Sequence, residues 1–319
     1  MLARILRPLR RPLTAAAATL LALAALPADG SQHAARQQER ALKRESEMAR
    51  IPAGTFIMGA DDEEVVDFKR ACEEEFGPEI GQQACVPERL RDFATGSPRL
   101  VFVSAFEIDR LEVTTAHYRE CVARGPCDMR PLVAGDARYA VEAWPMVNVT
   151  WDDAATYCAW RGKRLPSEAE WEKAARGGDA RRWPWGNYDR KDGANVGRIE
   201  REIVRPPNPN SVGSDIDESD GFRELAPPGS LPFGRSPYGV QDMAGNAAEW
   251  VADWYDENGY APSTVDPTGP KSGHLRVTRG GSFYEPRFFA RAYYRNAELP
   301  TERSITRGIR CARDVAASP

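Results

Sequence analysis

The chain has 319 residues and a formal net charge of -4 at neutral pH. This length is enough for one large domain, or two small ones, with a sizeable core. The acidic balance argues against nucleic-acid binding, which usually requires a strongly basic face.

The first 30 residues have the order of a secretory signal peptide. Four arginines precede an apolar run from Thr14 to Leu26, and small residues follow it up to Gly30. The run is shorter than the roughly 20 apolar residues of a stable membrane span. We therefore expect a signal peptide at 1–30 and a periplasmic or secreted protein. An uncleaved anchor is the alternative, and Arg10-Arg11 leaves the choice between general and twin-arginine export open.

The elements that follow are indicated by periodicity and capping residues. Residues 31–50 are polar and are interpreted as a linker, and alternating apolar residues in 51–59 predict a strand. Strand-like residues recur near 101–103 and 106–108, after a cysteine-bearing stretch without an assigned element. Capping residues predict three helices, at 115–124, 151–161 and 168–176.

Regular periodicity fades after Gly178, where glycine and proline are frequent. Long irregular stretches rarely stay ordered in a compact domain unless metal ions or disulfides hold them. The sequence has six cysteines, an even number, which suggests three disulfides in an oxidising compartment. Their number alone leaves the pairing open. The cysteines are Cys72, Cys85, Cys121, Cys127, Cys158 and Cys311.

A set of motifs then resembles the formylglycine-generating, or sulfatase-modifying factor, family. The similarity is collinear from about Ile51 to Val315, with 316–319 as a tail. It implies an α+β fold of C-type-lectin-like type, with short strands, two or three helices and much irregular chain. The matching segments are 51–59, 108–114, 145–151, 162–172, 185–187, 238–250, 279–283 and 308–311.

The family's oxidase binds copper with two cysteines placed shortly after the Gly-Gly-Ser motif. In this sequence those positions fall on Glu285 and Ala290. Cu(I) selects soft thiolate ligands, which neither residue supplies. The resemblance therefore implies no copper and no oxidase activity here.

Glu285 has two interpretations at this stage. It is either an acid that replaces the family's chemistry in the old cleft, near Arg279, Arg287 and Arg291, or a solvated loop carboxylate loosely paired with those arginines.

Two calcium sites are also implied by the resemblance, with a capped turn and no ion as the alternative at each. Calcium prefers carboxylate and carbonyl oxygens. The first site would use Asn195, Val196, Asp220 and Phe222. The second would use Asp242, Gly245, Ala247 and Glu249.

The resemblance also implies a disulfide between Cys158 and Cys311. The family's second bridge would be missing, because its positions align with Ala175 and Ala292. The remaining cysteines would then pair locally. Those local pairs are Cys72–Cys85 and Cys121–Cys127.

Three functions remain open from the sequence. The chain is a non-catalytic binding module for a peptide, glycan or protein partner, or an extracytoplasmic tailoring enzyme similar to those that mature pyoverdine siderophores. A sulfatase-activating oxidase is the third and is disfavoured by the missing cysteines.

Overall fold

The computed structural model describes residues 48–86, 98–199, 214–215, 217–256 and 264–315. The predicted signal peptide, most of the predicted linker and the tail at 316–319 lie outside the described residues. None of the helices in the described ranges is both long and apolar enough to cross a bilayer.

The described residues form short strands and a few helices. The strands are β1 Met48–Ile51, β2 Gly54–Met58, β3 Arg99–Val103, β4 Phe106–Asp109, β5 Arg198–Ile199, β6 Ser214–Asp215, β7 Ala248–Trp254, β8 Arg276–Arg279, β9 Arg295–Glu298, β10 Arg307–Gly308 and β11 Ala312–Asp314. The helices are α1 Asp62–Phe76, α2 Pro78–Ala84, α3 Thr115–Arg124, α4 Arg130–Val133, α5 Trp151–Trp160 and α6 Glu168–Arg176.

The strands form small separate sheets. One sheet has the order β1-β4-β11 and is antiparallel, and another has the order β10-β7-β8-β9 with β10 parallel to β7. Strands β2 and β3 form an antiparallel pair, as do β5 and β6. This mixture of short strands, a few helices and long irregular segments confirms the predicted α+β, C-type-lectin-like fold class.

The three predicted helices are present, and their caps explain where they begin. The side chain of Thr114 accepts from the backbone of His117 at the start of α3. Reciprocal capping boxes begin α5 at Thr150 and α6 at Ser167. Caps of this kind satisfy amide groups that the first turn of a helix leaves unpaired.

Two expectations about the start of the domain require correction. The strand expected at 51–59 is two strands, interrupted at Pro52, which has no amide hydrogen to donate to a ladder. Strand β1 begins at Met48, so the folded body includes the end of the predicted 31–50 linker, where Ala49 is fully buried.

The cysteine-bearing stretch that carried no predicted element contains helices α1 and α2. A capping box begins α1, in which Asp61 accepts from the Glu64 amide and Glu64 accepts from the Asp61 amide. This Asp-x-x-Glu spacing was present in the sequence and is the signal that would have predicted the helix.

The structure contains all three predicted disulfides, and no cysteine is free. Two join near neighbours, and the third links α5 to the segment before β11. The pairs are Cys72–Cys85, Cys121–Cys127 and Cys158–Cys311. Ala175 and Ala292, where the family's second bridge would lie, are both fully buried in the main hydrophobic core.

Helix α6 lies at the centre of the fold, and every one of its residues is buried. Trp171 packs into the main core with apolar residues of the surrounding strands. The charged side chains of α6 are also buried, and a buried charge needs compensating partners. Lys173 donates to three backbone carbonyls, those of Pro52, Gly54 and Val103.

Candidate functional site

The loop after β8 carries both positions at which the family would place its copper-binding cysteines. It begins with Gly280 and Gly281, which have positive φ angles of 97° and 67°. A Cβ atom on Gly281 would lie 2.9 Å from the Phe289 carbonyl oxygen and 3.1 Å from the Ala290 Cα. Position 281 therefore requires glycine, because a side chain there would collide with the backbone at 289–290. Glu285 lies within the loop between these two points.

Ala290 offers no chemistry in this loop. Its side chain is buried with Trp183, Trp185 and Ala244 in a small apolar cluster. Trp183 and Trp185 stack with their ring centroids 5.2 Å apart.

Glu285 is the chemically distinctive residue of the loop. The Ser282 hydroxyl donates to its Oε2 atom at 2.9 Å. Burial of its carboxyl group raises the pKa of Glu285 to about 7, and the Ser282 hydrogen bond opposes this while the nearby Glu298 carboxylate adds to it. A carboxyl group with a pKa near neutrality can both give up and take a proton at physiological pH.

A cavity of about 20 Å³ adjoins Glu285. Its polar lining includes Tyr294, Asn296, Glu298 and Arg307. Sequence reasoning did not identify these four residues, since they lie on β9, β10 and their approaches and only the fold brings them to residue 285. Glu285 is accordingly a half-buried residue that lines this cavity, with its carboxyl group shielded from solvent, and it is not paired with Arg279 or Arg291.

Two of the three arginines expected near Glu285 are held in buried ion pairs elsewhere, and the third, Arg287, donates to the Arg190 backbone carbonyl at 2.6 Å. Arg279 donates to Glu168 at 2.6 Å and to Glu172 at 2.9 Å, and these three side chains have no exposed surface. Arg291 pairs with Asp67 at 2.6 Å, and its side chain is 5% exposed. Both arginines therefore support the structure around α6 and α1, and neither lines the Glu285 cavity.

The first predicted calcium site retains an unpaired oxygen. Asp220 accepts from the Phe222 amide through Oδ1 at 2.9 Å, and its buried Oδ2 atom makes no hydrogen bond of good geometry, although the Val196 amide also acts to lower the pKa of this carboxyl group. The Asn195 backbone carbonyl accepts from the Asn246 amide at 2.7 Å, which joins this region to the second loop. A buried carboxylate oxygen without a donor is the kind of group that a bound cation would satisfy.

The second predicted calcium loop has an unusually tight backbone. Asp242 and Asn246 adopt positive φ angles of 57° and 64°. A Cβ atom on Gly245 would lie 2.0 Å from the Asn195 carbonyl oxygen, so the two loops approach as closely as their backbones allow. The two predicted sites are thus neighbours in the fold.

The carboxylates around this second loop outnumber their cationic partners. Glu249 accepts from Trp171 Nε1 at 2.6 Å and from Arg310 at 2.7 Å. Burial raises the pKa of Asp242 to about 6. It raises the pKa of Glu112 well above its usual range, and the nearby Asp242 and Glu249 carboxylates raise it further.

The residues at the two loops differ in how well they suit calcium. At the first, Asp220 has a free oxygen, whereas at the second Glu249 already accepts from two donors. The excess of buried negative charge beside Arg310 nevertheless favours a cation at the second loop. In the part of the chain that the structure describes, no group of three or more histidine, cysteine, aspartate or glutamate side chains is arranged to hold a metal. Each predicted site depends instead on carbonyl and amide oxygens with few carboxylates.

The model of the sulfatase-modifying factor enzyme 1-like domain family matches residues 32–315. The formylglycine-generating enzyme of Bos taurus is 30% identical, and the similarity covers 84% of this chain and 75% of that protein. The inactive C-alpha-formylglycine-generating enzyme 2 of Mus musculus is 35% identical over 53% of this chain and 48% of its own length. Among solved structures, PvdO from Pseudomonas aeruginosa superimposes with a TM-score of 0.61 and 28% identity, over 84% of this chain and 94% of PvdO.

Proposed function

The chain belongs to the sulfatase-modifying factor enzyme 1-like domain family, and we propose that it is a binding member of that family without cysteine-to-formylglycine oxidase activity. The observation that carries this proposal is the state of its cysteines. All six are joined in disulfides, and Glu285 and Ala290 occupy the loop positions where the family's copper-binding pair is expected. Without a free thiol, the chain has no thiolate pair for Cu(I).

The ligand of such a binding module is a peptide, a glycan or a protein partner, held at the cleft around Glu285. The rigidly closed loop and its buried supports favour a preformed site, since the ion pairs of Arg279 and Arg291 fix both ends of the loop. A preformed site loses little conformational entropy on binding. One mouse relative is named as an inactive enzyme, which is consistent with a family in which some members lack the oxidase reaction.

Calcium is proposed as a structural ion of this module. Support comes from the unpaired Oδ2 atom of Asp220 and from the surplus of buried carboxylates beside Arg310. The ion would contribute charge compensation that the protein's own cations do not supply at these loops. It would stabilise the irregular chain between α6 and β7, whose described residues form one short ladder, between β5 and β6.

Export is proposed from the sequence of the first 30 residues and is consistent with the three disulfides, because such bonds persist in oxidising compartments. N-terminal sequencing of the mature protein from the extracytoplasmic fraction is expected to give a start near Gly30 or Ser31. A full-length chain retained in the cytoplasm would contradict export.

A tailoring enzyme of the same superfamily is the second candidate. It is favoured by one observation, the buried Glu285 carboxyl with a pKa of about 7 beside a small polar cavity. Such a group has the proton affinity of an acid–base catalyst. The structural likeness to PvdO fits either candidate, because a shared fold does not by itself determine function.

The oxidase reaction can be tested directly. The mature protein is incubated with copper, oxygen and a peptide that contains the Cys-x-Pro-x-Arg motif, with the bovine relative as a positive control. We expect the peptide thiol to remain unchanged with this chain and to be lost with the bovine enzyme. Formylglycine in the peptide after incubation with this chain, detected by mass spectrometry, would overturn the proposal.

A further inference from the structure

The cavity beside Glu285 has the size of a single small polar group. Its volume is about 20 Å³, close to the minimum that accommodates one water-sized oxygen. Thr278 and Thr306 complete its polar lining, together with the carboxyl group of Glu285 and the guanidinium group of Arg307. Any group that enters must satisfy the hydrogen-bonding atoms around it.

Arg307 lines this cavity and carries an unsatisfied donor. The residue is 6% exposed, and its Nη1 atom donates to Glu298 at 2.6 Å while Nη2 lies 3.4 Å from Glu302. Its buried Nε atom has no hydrogen-bond partner. A buried donor left unpaired is costly, so the cavity favours an occupant with an acceptor atom.

Glu285 sets the opposite requirement. Its carboxyl group accepts from Ser282 through Oε2, and its raised pKa leaves it partly ionised at neutral pH. In the ionised form it favours an occupant that donates a proton. One small group has to accept from Arg307 and donate to Glu285.

The local charges restrict the occupant further. Glu298 and Glu302 pair with the single guanidinium group of Arg307, and Glu285 lines the same cavity. A carboxylate or phosphate would meet this excess of negative charge, and an ammonium group has no lone pair to accept from Arg307. A hydroxyl group both donates and accepts from one oxygen atom.

From these contacts we infer that the cavity is a subsite for one alcohol hydroxyl of an uncharged ligand, with Arg307 donating to it and Glu285 accepting from it. The inference rests on the proposed binding function and specifies the chemistry of its ligand. The hydroxyl belongs to a saccharide or to a serine side chain.

The test uses two small probes that carry a hydroxyl, N-acetylserine amide and methyl glucoside, with N-acetylalanine amide as the matched probe without it. Binding to the mature protein is measured by ligand-observed NMR titration. We expect at least one hydroxyl probe to bind about tenfold more tightly than the alanine amide, which is the effect of one well-placed hydrogen bond. Preference for the serine amide identifies a polypeptide source, and preference for the glucoside identifies a saccharide.

Variants connect the binding to this cavity. Glu285→Gln keeps the size of the side chain and is expected to lower the affinity for the preferred probe about tenfold. Arg307→Lys removes the Nε–H donor and is expected to lower that affinity by a similar factor. Glu120→Gln is the control, because Glu120 forms an exposed pair with Arg124 and does not line the cavity. It should bind the probe as the wild type does.

The inference is overturned if the alanine amide binds as tightly as the hydroxyl probes, if no probe binds, or if Glu285→Gln binds unchanged. These results leave the proposed function intact as long as no formylglycine is formed. Formylglycine formation would contradict the proposed function, whichever probe binds.

Discussion

Glu168 and Arg279 form an ion pair at 2.6 Å in which neither side chain has any exposed surface. The second oxygen of Glu168 pairs with Arg295 at 2.8 Å, and Arg279 also reaches Glu172. The pairing continues through Arg176, which donates to Glu172 and to Glu64 on α1. This buried ladder connects α6 to β8, β9 and α1, and thereby fixes the start of the loop that carries Glu285.

The ladder predicts a large effect of a small change at Glu168. Glu168→Gln keeps the shape of the side chain but leaves Arg279 and Arg295 without its charge. Removing one partner of a buried pair costs about 3–5 kcal/mol of unfolding free energy. Urea unfolding at neutral pH measures the loss. Glu120→Gln, in an exposed pair with Arg124, is the control and should change stability by less than about 0.5 kcal/mol. Equal effects of the two substitutions would contradict the structural role of the ladder.

The three disulfides should differ in their contribution to stability. Cys158–Cys311 closes 153 residues and Cys121–Cys127 closes 6. In the chain-entropy model these loops correspond to about 5 and about 2.2 kcal/mol, as upper values. The paired alanine variants are compared by thermal unfolding, and the 158/311 variant should have the lower melting temperature. The reverse order, or non-reducing peptide maps that join Cys158 to another cysteine, would be inconsistent with this assignment.

Calcium should stabilise the protein through the loop that contains Asp220. An ion that binds only the native state raises the melting temperature by mass action, and a chelator lowers it again. Asp220→Asn is expected to remove most of this response. Asp128→Asn is the control, because that exposed carboxylate pairs with Arg130 away from the loop. An unchanged melting temperature on calcium addition, with no calcium found by elemental analysis, would rule out both calcium sites.

The stability of the protein should depend on pH through Glu285. Its pKa rises from 4.5 to about 7 on folding, so the native state binds this proton more strongly than the unfolded chain does. The contribution is fully present below pH 4.5 and is lost as the pH rises through 7. It amounts to at most about 3 kcal/mol, since each pKa unit corresponds to about 1.4 kcal/mol. Urea unfolding of the wild type and of Glu285→Gln between pH 5 and pH 8 isolates it, because the glutamine variant lacks this titration. Parallel pH profiles would show that Glu285 is not buried as described.

Much of the fold followed from local sequence signals. The helices at α3, α5 and α6 were predicted because Thr114, Thr150 and Ser167 are caps whose physics acts within one turn. Helix α1 was missed although Asp61 and Glu64 offered the same signal. The disulfide pairing followed from family resemblance, since the number of cysteines alone left it open.

The site was harder to predict because it depends on distant contacts. Charged residues such as Glu172 and Arg176 usually indicate a solvent-exposed helix face, and nothing local shows that α6 is buried on all sides. Arg307 and Glu298 likewise meet Glu285 only after β8, β9 and β10 have assembled. The sequence identified Glu285 as the residue of interest but gave the wrong partners for it.

The most direct test of the central claim is a titration of the mature protein with Cu(I) under conditions that keep its disulfides intact. We expect no stoichiometric thiolate-bound copper in the wild type. The double variant Glu285→Cys, Ala290→Cys serves as the control that restores the thiol pair and should bind one equivalent. One tightly bound equivalent of Cu(I) in the wild type, accompanied by conversion of the cysteine peptide to formylglycine, would contradict the claim that this chain lacks the oxidase site.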